Sequence, residues 1–121
     1  MTMPTIINEK VHGIIDYAVV VFLLLSPTIF GFTGTIAIIT YALAGIHFAL
    51  TAITDSPMGI IKILPLPIHG YVEVAAAVAI MLAPWIFGFT EDATGRWFYI
   101  LLGFAIFVTW LLTAYRPAAE S

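Results

Sequence analysis

The sequence predicts an all-α integral membrane protein, a four-helix bundle made of two tandem helical-hairpin repeats in parallel orientation. Three observations carry this. The chain is too apolar to hide its side chains in a water-soluble core, it holds four apolar stretches of spanning length, and its second half repeats its first.

Of 121 residues, 62% are hydrophobic and 9% charged, with a mean hydropathy of +1.10. Soluble domains carry roughly 45–50% apolar and about 25% charged residues. A small domain leaves much of its surface exposed, so the apolar surplus must face lipid. The length favours a single transmembrane domain over residues 1–121. With no cysteine, disulfides, thiolate nucleophiles, cysteine zinc sites and Cys-ligated iron–sulfur clusters are excluded. The net charge of −3 is spread out, with no basic run, so nucleic acid is not an expected partner.

The four stretches run about Val11–Phe32, Thr35–Thr54, Ile68–Phe89 and Trp97–Tyr115. A helix of ~20 residues spans ~30 Å, the hydrocarbon thickness of a bilayer. Backbone groups in lipid must pair within the segment, so the β-branched run Ile36–Thr40 reads as helix despite its strand-like composition. The first stretch is not a secretory signal, because Ser26-Pro27-Thr28 lacks the small-x-small pattern of a cleavage site. Thr33-Gly34 reads as a tight turn and Thr90–Gly95 as a polar one. The longer connection, residues 56–67, holds Pro57, Pro65, Pro67 and Lys62 among apolar residues. It reads either as one amphipathic turn lying on the membrane or as a Pro-bounded loop.

Lys10, Lys62 and Arg116 fall on the side of the N-terminus and Arg96 on the other. The excess places both termini in the cytoplasm. Trp85 and Trp97 then mark the far interface, Trp110 and Tyr115 the near one.

A shift of 57 residues superposes His12 on His69, Gly13 on Gly70 and Pro27 on Pro84, and continues through Ile29-Phe30-Gly31-Phe32-Thr33 on Ile86-Phe87-Gly88-Phe89-Thr90. Asp16 falls on Glu73, a carboxylate on a carboxylate. Shared greasiness does not bring such motifs into register, so the chain is a duplication: repeat 1 over about 10–55, repeat 2 over about 68–116. The second helices match at a shift of 58, Tyr41 with Tyr99 and Gly45 with Gly103. Each copy has two spans, so both share one orientation about an axis along the membrane normal, with Gly and Ala allowing close backbone approach.

On these motifs the chain resembles the SPW-repeat family of small bacterial membrane proteins, a two-helix repeat with Ser-Pro-Trp toward the end of its first helix. The first copy reads Ser26-Pro27-Thr28 and the second Ala83-Pro84-Trp85, each departing at one position. The resemblance covers about Lys10 to Arg116. It implies a four-helix fold in a bacterial inner membrane, and it implies no established reaction.

Proline kinks or ends a helix. Ser26, Pro27 and Gly31, with Pro84, Trp85 and Gly88, therefore read as architecture that bends and turns the chain near the far surface; the alternative is a partner or lipid site. The polar residues are the better functional candidates. His12 and Asp16 lie one turn apart on a helix face, and His69 and Glu73 repeat that pair. His47, Thr51 and Asp55 form a second stripe running back to the same side, so three imidazoles and three carboxylates converge there. His47 has Ala105 as its counterpart at the shift of 58. Ionisable groups within a span usually face inward and often mark an ion or proton path.

Three chemistries suit the cluster. Histidine nitrogen and carboxylate oxygen suit zinc or iron, with His12, Asp16, His69 and Glu73 as the metal candidates. His12 and His69, each beside a glycine, suit axial ligation of haem. Alternatively the pairs are structural, the acidic groups complementing the helix N-termini. Ser26, Ser56 and Ser121 are the only serines, and none is placed to act as a nucleophile, so the sequence points away from an enzyme. The leading expectation is a non-enzymatic accessory or scaffold subunit, packed in the bilayer against another membrane protein or itself. A metal- or haem-binding redox or proton-handling module comes second, and a small oligomeric transporter or channel third.

Overall fold

The computed structural model describes residues 6–113. Four helices follow in order: α1 Glu9–Phe30, α2 Gly34–Ile53, α3 Leu66–Ile86 and α4 Ala93–Leu112. All four are long and apolar enough to cross a membrane, and no strand occurs among the described residues beyond two isolated bridges. The protein is a multi-pass membrane protein. Between 28% and 33% of each span's apolar window is buried; the remainder is a lipid-facing coat that includes Val21, Leu25, Ile29, Ile38, Ile46 and Leu101.

Helix bounds depart from the hydropathy reading where polar caps set them. Asn8 accepts from the Val11 amide at 2.8 Å and starts α1 two residues before the apolar run. Asp92 accepts from the Gly95 amide at 2.9 Å, so α4 begins at Ala93 rather than Trp97. Gly31 and Gly88, with φ of 69° and 74°, turn the chain after α1 and α3. The amides of Phe32 and Phe89 then donate back to the carbonyls of Pro27 and Pro84 at 2.9 and 2.8 Å, the reciprocal closure expected of a left-handed helix end. Pro27 and Pro84 both lie inside their helices. Tyr115, Arg116, Ser121 and the expected end of repeat 2 lie outside the described residues.

The duplication holds, with one correction of register. Gly34 and Ile53 of α2 correspond to Ala93 and Leu112 of α4, a shift of 59, not 58. The longer second turn adds the difference. His47 is therefore matched by the buried Ile106, not by Ala105, and Thr54 by Thr113.

Helix α1 packs against α2 and α3 against α4. We call the end carrying the start of α1 the near end. There α1 and α3 meet through His12 and His69. Farther along, α2 and α4 meet, with the Thr40 and Tyr99 hydroxyls 2.6 Å apart. The segment from Thr54 to Pro65 is not helical and turns at Pro57 and Met58. It folds under α2: the amides of Ile60 and Ile61 donate to the Ala52 carbonyl at 2.7 and 2.9 Å, and that of Leu64 to Ile53 at 2.8 Å. Its Ile60, Ile61 and Ile63 are exposed.

Candidate metal centre

Two hairpins in one orientation bring equivalent helix faces together at the near end. Asp16 lies ~10 Å along α1 at 1.5 Å per residue, so the centre sits about a third of the way into the bundle. His12, Asp16, His69 and Glu73 are each no more than 3% exposed.

The geometry is close to symmetric. His12 Nε2 lies 3.2 Å from Asp16 Oδ2 and 2.8 Å from Glu73 Oε2. His69 Nε2 lies 3.3 Å from Asp16 Oδ2 and 3.5 Å from Glu73 Oε2. The two rings stand edge to face with centroids 5.7 Å apart. One ligand atom from each of the four residues falls within 4.8 Å of all the others. Beside them, toward the near end, is a cavity of about 10 Å³ that Glu9, Ser56 and Leu66 also line, about the size of one water or one small ion.

The other nitrogen of each ring is held as well. His12 Nδ1 lies 2.8 Å from Thr113 Oγ1, and His69 Nδ1 lies 2.8 Å from Thr54 Oγ1. Each hydroxyl donates its one proton to the carbonyl four residues back, Thr54 to Leu50 and Thr113 to Thr109, both at 2.5 Å. Each therefore accepts from the imidazole, so both rings carry a proton on Nδ1. The Nε2 atoms face the carboxylates.

Of the residues expected to converge, His47 comes in at the margin, its Nε2 3.5 Å from Asp16 Oδ1. Thr51 supports the same carboxylate at 3.4 Å from Oδ2. Asp55 does not join. Helix α2 ends at Ile53, the backbone turns, and Asp55 is exposed with its amide bonded to the Leu64 carbonyl at 2.8 Å. Thr54 enters in its place. Sequence reading missed Thr54 and Thr113; the shift of 59 that pairs them is the signal that would have found them.

The proline motifs lie at the opposite end. The Ser26 hydroxyl donates to the Phe22 carbonyl at 2.5 Å, Pro27 and Pro84 are buried, and Trp85 is exposed. With duplicated hairpins and this Pro-containing turn in place, comparison with known families is decisive: the SPW repeat domain matches residues 10–113. The chain belongs to the SPW repeat family. The match takes in both hairpins of this SPW repeat protein and all four residues of the centre. No curated protein and no solved structure matches the chain.

Proposed function

We propose that this small membrane protein holds one divalent transition-metal ion of the zinc or iron class between its hairpins, through His12, Asp16, His69 and Glu73. One observation supports this above all: two Nε2 atoms, whose Nδ1 partners already carry the proton, face two carboxylate oxygens at 2.8–3.5 Å. Such contacts need positive charge between nitrogen and oxygen, supplied either by a proton on Nε2 or by a metal ion. Around a tetrahedral ion with bonds of ~2.0–2.1 Å, neighbouring ligand atoms lie roughly 3.3 Å apart, and the four separations bracket that value. Two carboxylates and one dication also sum to neutrality, which a buried site in lipid requires. Haem suits the site less, because a macrocycle between the rings would displace both carboxylates.

The membrane is proposed to be a bacterial inner membrane, with both termini cytoplasmic. Lys10 and Lys62 at the near end against Arg96 at the other support that orientation.

The test is metal content and zinc titration of the protein in mild detergent. One ion per chain is expected. His12→Ala and His69→Ala abolish stoichiometric binding, and affinity falls as pH drops, because protons compete for the same Nε2 atoms. Wild-type protein that binds zinc no better than either variant would overturn the proposal. A second reading, an accessory subunit or homo-oligomer, draws on an apolar groove of about 730 Å³ between α1 and α4, lined by Phe22, Phe30, Trp97, Phe98 and Leu101 among others. Co-purification of a stoichiometric membrane partner, or a stable oligomer, would favour it.

A further inference from the structure

The near-end threonines have a role that hydropathy does not suggest. Thr54 and Thr113 are the C-caps of α2 and α4, with extended backbones at φ −78°, ψ 138° and φ −97°, ψ 136°. Both are buried, at 1% and 6% exposure. Each is held by a short parallel bridge, Thr54 with Leu64 and Thr113 with Ile7. The Leu64 amide donates to Ile53 at 2.8 Å and the Ile7 amide to Leu112 at 3.0 Å. This arrangement is duplicated as faithfully as the histidines are. It also crosses between hairpins: Thr113 of the second serves His12 of the first, and Thr54 of the first serves His69 of the second.

From this reciprocal geometry we infer that Thr54 and Thr113 are positioning residues, each fixing the ring tautomer of the other hairpin's histidine so that both Nε2 atoms are presented to the centre only when the hairpins dock. The inference rests on the cation reading for its purpose. Its physical basis is the one-proton rule of a hydroxyl. A threonine that donates to its own helix can only accept from the ring, so Nδ1 carries the proton and Nε2 is left as a ligand. Metal-bound histidines are commonly oriented in this way through their second nitrogen.

Threonine to valine keeps the branched shape and removes the acceptor. The ring then gains by moving its proton to Nε2, where it donates to Asp16 or Glu73 and occupies the position that an ion needs. The imidazole–carboxylate pairing survives, so the fold retains its buried contacts while zinc loses a ligand.

The experiment is nitrogen-resolved NMR of 15N-histidine-labelled protein in detergent, with and without zinc, on wild type, Thr113→Val, Thr54→Val and the two serine variants. In the wild type, His12 and His69 show a protonated Nδ1. Thr113→Val changes the Nδ1 signal of His12 and spares His69; Thr54→Val does the reverse. Each valine variant lowers zinc affinity ~10–100-fold, the usual cost of losing an outer-sphere partner, and serine restores both readouts. Bare Nδ1 atoms in the wild type would overturn the inference, as would valine variants that leave both histidines unchanged or perturb the histidine of their own hairpin. If zinc leaves the Nε2 signals unmoved while the Nδ1 pattern holds, the cation reading fails and the positioning role stands.

Discussion

The two hairpins are nearly the same molecule at the near end and at the Pro-Gly turns of the far end, and differ in the stretch between. At the near end each supplies a histidine, a carboxylate one turn on, a threonine C-cap and a bridging residue, at matching positions and distances. Deeper in the bundle the copies diverge. His47 faces Asp16 where the other hairpin has Ile106, and the equivalent positions Thr40 and Tyr99 are both buried but carry different side chains. Gly103 lies against α3 where the first hairpin has the buried Ala44. Identity survives where both copies build one object together and where each hairpin must turn after its first helix. It is lost where each helix answers to its own surroundings, whether lipid or a neighbouring helix.

The largest effect tests that shared object. Asp16→Asn and Glu73→Gln each replace an anionic ligand with a neutral amide. Both are expected to reduce zinc affinity by more than the ~10–100-fold of an outer-sphere change, and by similar factors. Isothermal titration in detergent reads this directly. If one variant binds like wild type, the centre is not built equally from the two copies, and the match of Asp16 with Glu73 is only a relic of duplication.

Much of this was legible in the sequence. The four spans follow from length and hydropathy, and the pairing of His12–Asp16 with His69–Glu73 from a gap-free shift of 57. What escaped was set by single residues that hydropathy does not weigh. A helical stripe extrapolated from His47 through Thr51 reaches Asp55, but α2 stops at Ile53 and the turn delivers Thr54 instead. Between Tyr41 and Tyr99, or Gly45 and Gly103, identity suggested a shift of 58; burial and helix ends obey 59. Matches between abundant apolar-helix residues are cheap, whereas the Thr54–Thr113 match is constrained by the geometry of the centre.

Packing gives the intermediate effect. A Cβ on Gly103 would stand 2.5 Å from Met81 Cγ and 2.7 Å from the Ala77 carbonyl oxygen. Gly103→Ala must push α4 off α3 and is expected to cost ~1–3 kcal/mol, as overpacking does. Gly45→Ala enters open space and leaves stability unchanged or raises it by up to about 1 kcal/mol through lower backbone entropy in the unfolded chain. Unfolding in mixed micelles compares the two. A Gly103→Ala protein as stable as Gly45→Ala would show that α3 and α4 do not meet closely at Gly103.

The smallest effect concerns a polar pair that has no twin. Thr40 donates to the Ile36 carbonyl at 2.6 Å, so the Tyr99 hydroxyl, 2.6 Å away, must donate to Thr40. This is the device of Thr54 and Thr113 again: a threonine committed to its own helix accepts from a side chain across the bundle. Here it joins α2 to α4 in the core, away from the metal centre. Tyr99→Phe removes the donor and leaves Thr40 still bonded to Ile36, so no buried donor is orphaned. The expected loss is ~0.5–1.5 kcal/mol, with zinc stoichiometry and affinity unchanged; Tyr41→Phe should alter neither. A Tyr99→Phe protein with weakened zinc binding would mean that the far-end contact between α2 and α4 sets the spacing of the near-end histidines. The hairpins would then be coupled along their whole length, not only where their sequences agree.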